Sequence, residues 1–159
     1  MIIRRLQDLL DGQNVRYTIL SHSVAYTAQE VAASAHVPGK EIAKCVVFWM
    51  DGIMGLAVLP GSHMIDFTLL KKGTGARDVE IAGESEFSEA FPDCELGAMP
   101  PFGQLFNMQT FVDASLAEDK EIAFNAGTHR DLVRMRYEDY ERAARPRIIR
   151  FSFVARTAA

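Results

Sequence analysis

The sequence predicts an α+β fold built around a mixed sheet. Three observations predict it. Helix-period and strand-period runs alternate along all 159 residues. Two apolar runs, residues 42–50 and 53–59, are joined by Asp51-Gly52, the dipeptide of a tight hairpin. Thr27-Ala28-Gln29-Glu30 has the pattern of a capping box, so a helix begins between the first strand and the hairpin.

The elements follow in order. Ile3, Leu6, Leu9 and Leu10 recur at helical spacing, and Gly12 can close that helix. Residues 15–20 alternate as a strand. The Thr27-capped helix carries Val31, Ala32 and Ala35 and ends before Pro38-Gly39. After the hairpin, Asp66 is placed to cap a short helix through Leu70. Residues 79–82 read as a short strand, and Ser85 opens a helix ending at Phe91-Pro92. Strands are expected over 109–112, 121–125 and 132–136, a helix over 137–144, and a last alternating strand over 147–153. No linker, repeat or low-complexity stretch appears, so residues 1–159 are expected to form one domain.

Composition narrows the function. The formal net charge is −4 and the pI about 5.6, which excludes a protein that coats nucleic acid through a broad basic surface. An end-binder with a local basic patch remains open. Hydrophobic content is 48%, enough for a sizeable core. No apolar run approaches the roughly 18 residues of a membrane span, and the N-terminus reads as an amphipathic helix. Cys45 and Cys94 lie far apart without metal-ligand or redox spacing, so a reduced, cytoplasmic protein with no metal and no cofactor is expected.

Three separated features carry the chemistry. Lys44 stands inside the apolar run Ile42-Ala43-Lys44-Cys45-Val46-Val47-Phe48. In a strand it shares a face with Ile42 and Val46, so its ammonium passes an apolar wall toward water or an anion. Spacing alone equally allows an edge-strand lysine that discourages aggregation. Gly97-Ala98-Met99-Pro100-Pro101-Phe102-Gly103 has two prolines, two glycines and no charge. It is a stiff loop whose backbone can cradle a carbonyl or an amino acid, or else a plain rigid turn. His129, in Ala126-Gly127-Thr128-His129, follows a strand and can contact a ligand or titrate near neutrality; a surface histidine fits the same position. Lys40, Lys71, Lys72 and Arg77 flank the Lys44 region and can meet phosphates. Arg142, Arg145, Arg147 and Arg150 form a later group that reads as a solvated face. His22, His36 and His63 show no mutual ligand spacing.

In this order the motifs resemble the YbaK / prolyl-tRNA-synthetase-associated domain family of aminoacyl-tRNA deacylases. The matching stretches are Tyr26-Thr27-Ala28-Gln29-Glu30-Val31-Ala32, the Lys44 run, the Gly97–Gly103 loop and Asn125-Ala126-Gly127-Thr128-His129. The resemblance implies a mixed, strongly curved, barrel-like sheet flanked by helices. It implies hydrolysis of the ester joining a mischarged amino acid to a tRNA 3′ end, most often the proline acceptor. It places the editing lysine at Lys44, the Gly-x-x-x-Pro loop at Gly97 to Pro101, and the histidine of synthetase-inserted editing domains at His129. Lys44, Gly97 and His129 are thus the expected catalytic residues. Pro100, Pro101, Phe102, Gly103 and Gly127 are expected to bind substrate, and Lys40, Lys71, Lys72 and Arg77 to bind tRNA. The implied partners are the aminoacylated tRNA end and an aminoacyl-tRNA synthetase, with neither DNA nor membrane. Many free-standing relatives continue the third motif as Gly-Lys-Arg-Gly, whereas Gly127-Thr128-His129-Arg130 stands here. The rival reading is a non-catalytic module of the same fold that binds tRNA, a nucleotide or a synthetase.

Overall fold

The computed structural model describes residues 2–23 and 25–155. Residues 1, 24 and 156–159 of the expected 1–159 domain lie outside the described residues.

Helix α1 (Arg4–Gly12) buries Leu6 and Leu10 and leads into strand β1 (Tyr17–Ser21). Helix α2 (Ala28–Ala35) starts where the Thr27 side chain accepts the Glu30 amide at 3.0 Å. The Glu30 carboxylate takes the Thr27 hydroxyl at 3.1 Å, so the capping pair closes through side chains. Strands β2 (Ala43–Met50) and β3 (Ile53–Pro60) form the expected hairpin, with Met50 opposite Ile53. Its turn residues Asp51 and Gly52 both have positive φ, 49° and 82°, the conformation that matches the twist of the strands.

Strand β4 (His63–Ile65), which the sequence pattern does not signal, precedes helix α3 (Phe67–Thr74). Asp66 caps α3 by accepting the Leu69 amide at 3.0 Å, and the helix runs a turn past Leu70. Strand β5 (Val79–Ile81) follows. The helix expected from Ser85 to Phe91 is α4 (Glu84–Phe87) continued by a 3-10 turn at Ser88–Ala90. Strands β6 (Gln109–Asp113), β7 (Glu121–Asn125) and β8 (Asp131–Arg136) and helix α5 (Tyr137–Ala144) come next.

The last expected strand, 147–153, is two strands instead: β9 (Arg147–Ile149) and β10 (Ser152–Val154), in different sheets. Buried Asp113 causes the break. Its carboxylate accepts the Phe151 amide at 2.7 Å, pulling that amide out of any ladder, while the Phe151 side chain turns fully inward. Asp113 is held below its ordinary pKa against the opposing pull of burial, by the amides of Phe151 and Ser115 and the hydroxyls of Ser115 and Ser152.

Among the described residues the strands make three sheets, of order β1-β8-β7, β10-β4 and β5-β2-β3-β6-β9. In the largest, β3 pairs antiparallel with β2 and parallel with β6, so the mixed character holds. No ladder closes into a barrel among the described residues. Alternate residues of β3 serve two cores. Leu56 and Val58 join the one under α1 and α5, and Ala57 and Leu59 the one that includes Leu70 of α3 and Phe151. A lone parallel bridge, Ile42 to Ala123, ties the start of β2 to β7 across two sheets. That bridge sets Lys44 and Asn125 side by side, each two residues further along its strand.

No helix among the described residues is long and apolar enough to cross a membrane.

Candidate active site

A small cleft of about 160 Å³ opens where β2, β7 and the Gly97 loop meet. Tyr26, Lys44, Cys45, Gly97, Met99 and Asn125 are among the residues that line it. It is smaller than the roughly 300–1,000 Å³ of a drug-sized pocket. A larger hollow of about 770 Å³ beside α1 is lined by none of these side chains.

Lys44 enters the cleft half-buried. Its Nζ donates to the carbonyl of His63 at 2.5 Å and, at the long distance of 3.5 Å, to that of Gly61. An ammonium has three donors, so one remains for a ligand. Burial lowers the Lys44 pKa. Its folded pKa therefore lies below the unfolded one, and between the lowered value and the ordinary 10.5 the unfolded chain binds more protons. The Lys44 contribution to stability accordingly rises with pH across that window. The Cys45 and Cys94 thiols, both pushed up by burial, act in the opposite sense. Comparison with Lys44→Met isolates the lysine: denaturant midpoints should shift in favour of wild type as pH climbs toward 10.5, and a constant difference would rule out the desolvated ammonium. Cys45 beside Lys44 is a neutral wall, since burial drives its thiol far above the range of a nucleophile.

Gly97 has φ +86°, where a side chain is strained. Its missing Cβ leaves the His129 ring as neighbour, with Cε1 3.5 Å from where a Cβ would stand. His129 is 6% exposed and lies behind Gly97. Its backbone amide donates to the Glu95 carboxylate at 3.1 Å, and its Nε2 lies 2.7 Å from the Leu96 carbonyl. A carbonyl only accepts, so Nε2 carries the proton; buried Nδ1 has no partner. Gly127 braces the same loop, accepting the Glu95 amide at 2.8 Å and donating to Ala98 at 2.9 Å. A Cβ on Gly127, whose φ is +101°, would overlap the Ile3 side chain.

Pro100, Pro101, Phe102 and Gly103 are all buried and sit behind the cleft. The Phe102 ring packs edge-on against Phe124 and Tyr140, whose hydroxyl donates to the Pro101 carbonyl at 2.8 Å. The Gly103 amide donates to Thr110 at 2.8 Å, and a Cβ there would stand 2.5 Å from the Met108 carbonyl. These residues fix the far end of the loop in the core.

The four basic residues separate into two places. Lys40 lies in the 3-10 turn Gly39–Glu41 that leads into β2, near Asp119. Lys71 and Arg77 lie by Asp51 at the other end of the hairpin, about 20 Å along β2 from Lys44. Lys72 shares the last turn of α3 with Lys71. Tyr26 and Asn125 line the cleft without an expected role from the sequence. The Asn125 Oδ1 is buried without a hydrogen-bond partner. A lone amide closing the apolar strand Ile122-Ala123-Phe124 is the available sequence signal for it.

The sequence pattern of the aminoacyl-tRNA editing domain matches residues 22–143, a span that contains the whole cleft. The chain belongs to this family. It is similar to the multifunctional Ser/Thr-tRNA deacylase ProXp-y of Escherichia coli K12, 28% identical over 153 residues, covering 93% of this chain and 91% of that protein. The same figures hold for ProXp-y of E. coli O157:H7. Among solved structures, a hypothetical protein matches at TM-score 0.84 with 20% identity, over 94% of this chain and all of the other. A proposed trans-editing enzyme for prolyl tRNA synthetase matches at TM-score 0.80 with 22% identity, over 94% and 96%. At these identities the two structures speak to the fold. An editing domain acts by hydrolysis, so the chain is a hydrolase of the aminoacyl-tRNA ester bond.

Proposed function

We propose that the protein acts in trans, in the cytoplasm, on tRNA mischarged with a small amino acid, with the proline acceptor as its tRNA. The observation that carries this reading is the size of the cleft, about 160 Å³ beside a half-buried ammonium. Serine and threonine, the amino acids in the name of the E. coli relative, are of the size such a cleft admits. Discrimination by size is modest, about 1–3 kcal/mol per methylene, which suits a second sieve acting after a synthetase.

An aminoacyl ester is already a good electrophile, so positioning, charge and a guided water suffice. We assign the remaining donor of Lys44 to the terminal phosphate or ribose. The Gly97 backbone lies against the ester carbonyl and aminoacyl group, unshielded by a side chain. The unpartnered Asn125 Oδ1 accepts from the substrate ammonium or the attacking water. His129 is assigned to hold Leu96 and Gly97 in place, since its Nε2 proton is committed there. Gly127 and residues 100–103 fix the same loop from behind.

We assign Lys40, in the turn that leads into β2, to the 3′ end. Lys71, Lys72 and Arg77 are assigned to phosphates further along the acceptor stem. With so few contacts, log binding constant against log salt should slope shallowly, as for about two to four phosphates at about 0.7–0.9 each. Replacing Lys71 and Lys72 together with Ala should weaken tRNA binding without changing the amino acid chosen, because phosphate contacts position and do not select. An unchanged affinity would move the contact surface elsewhere. The reading as a whole is tested by deacylation of a panel of mischarged tRNAs.

A further inference from the structure

We infer that Tyr26 is the shelf on which the terminal nucleobase of the tRNA stacks while its ester is cut. The inference rests on the deacylase reading above and adds a nucleobase subsite to it.

Tyr26 is 70% exposed, yet it lines the Lys44 cleft. Single exposed aromatic residues are ordinary on protein surfaces. This one differs in being held. One side of its ring rests on buried His129, with centroids 4.7 Å apart and planes at 48°. Its backbone is fixed on both flanks. The Ala25 amide donates to the His129 carbonyl at 3.3 Å, and Thr27 caps α2. His129 is itself pinned to Leu96, which is 42% exposed. An aromatic platform braced by His129 thus stands at the rim before any ligand arrives, so little entropy is lost when one binds.

The substrate's own covalent structure says what reaches that rim. The ester sits on a ribose hydroxyl, and the base of the same nucleotide hangs from the same ring. With the carbonyl against Gly97, the base must lie within a ribose's width of the cleft mouth. It is unpaired there, and an unpaired base lowers its free energy by stacking on an exposed π-face. Phe67 and Phe153 are exposed aromatics too, at 40% and 48%, but neither lines this cleft. Tyr26 does. Stacking tolerates any base, so the shelf grips the tRNA end without selecting the amino acid.

The test has two arms. In the first, a tRNA ending in 2-aminopurine, with its amino acid joined by an uncleavable amide, is titrated with protein. Wild type and Tyr26→Trp should quench the fluorescence, and Tyr26→Ala should not. In the second, kcat/KM is measured on the mischarged tRNA and on an aminoacyl ester of ribose 5-phosphate that has no base. Tyr26→Ala should lose about tenfold, or ~1.4 kcal/mol, on the tRNA and nothing on the base-free ester, while Tyr26→Phe stays within about twofold on both. Equal losses on both substrates, or a Tyr26→Ala enzyme within about twofold of wild type on tRNA, overturn the shelf. If wild type hydrolyses no aminoacyl-tRNA yet quenches through Tyr26, the deacylase reading fails and the shelf stands. Turnover without Tyr26-dependent quenching removes the shelf alone.

Discussion

Replacing Lys44 with Ala is expected to lower kcat/KM for mischarged tRNA by about a hundredfold, ~2.7 kcal/mol, in a protein that still folds. Two of the three ammonium donors hold the carbonyls of Gly61 and His63, so the group is aimed before substrate arrives. A preorganised charge in a half-buried cleft acts with little screening. The substitution also strips those carbonyls of a donor, which costs at most about 1–3 kcal/mol of stability. Lys44→Met keeps the bulk and removes only the charge, and it should behave like Ala in rate. Activity of either variant within about twofold of wild type contradicts the role given to the ammonium.

Gly97→Val is expected to damage both stability and turnover. The φ of +86° alone makes a β-branched residue strained, by about 1–3 kcal/mol. The Cβ itself meets only ordinary contact with His129 at 3.5 Å, so the fold should survive. The added methyls then occupy space that the aminoacyl group needs, and turnover by the folded enzyme should fall at least about tenfold. Gly97→Asn separates the two effects, because Asn tolerates positive φ better than any β-branched residue. It should recover much of the thermal midpoint and little of the rate. Folded Gly97→Asn enzyme turning over at the wild-type rate would remove Gly97 from the substrate site.

Much of this architecture is local and therefore legible in the sequence. The Asp51-Gly52 turn, the Thr27 and Asp66 caps, β7 and α5 are each specified by residues within a few positions of one another. What escapes the sequence is decided by partners far along the chain. Residues 147–153 alternate like one strand, but Asp113, 38 positions before Phe151, splits them. His129 looks like a ligand-facing residue until its Nε2 is seen on the Leu96 carbonyl. Pro100 to Gly103 read as part of a stiff loop that can cradle a ligand because they carry turn residues; the aromatic packing of Phe102 that buries them is non-local. Lys71 and Arg77 look close to Lys44 in sequence, but α3 and its exit bring them to the opposite end of β2. Asn125 reaches the cleft only through the bridge between Ile42 and Ala123, which joins two sheets that no pattern connects.

The most direct test of the account is single-turnover deacylation of the proline acceptor tRNA charged in turn with serine, threonine, alanine and proline. Wild-type protein should release at least one of the small amino acids well above the rate with Lys44→Ala and should leave the prolyl ester intact. Esters that decay no faster with wild type than with Lys44→Ala would contradict the account, and would favour a binding module that keeps the cleft without the chemistry.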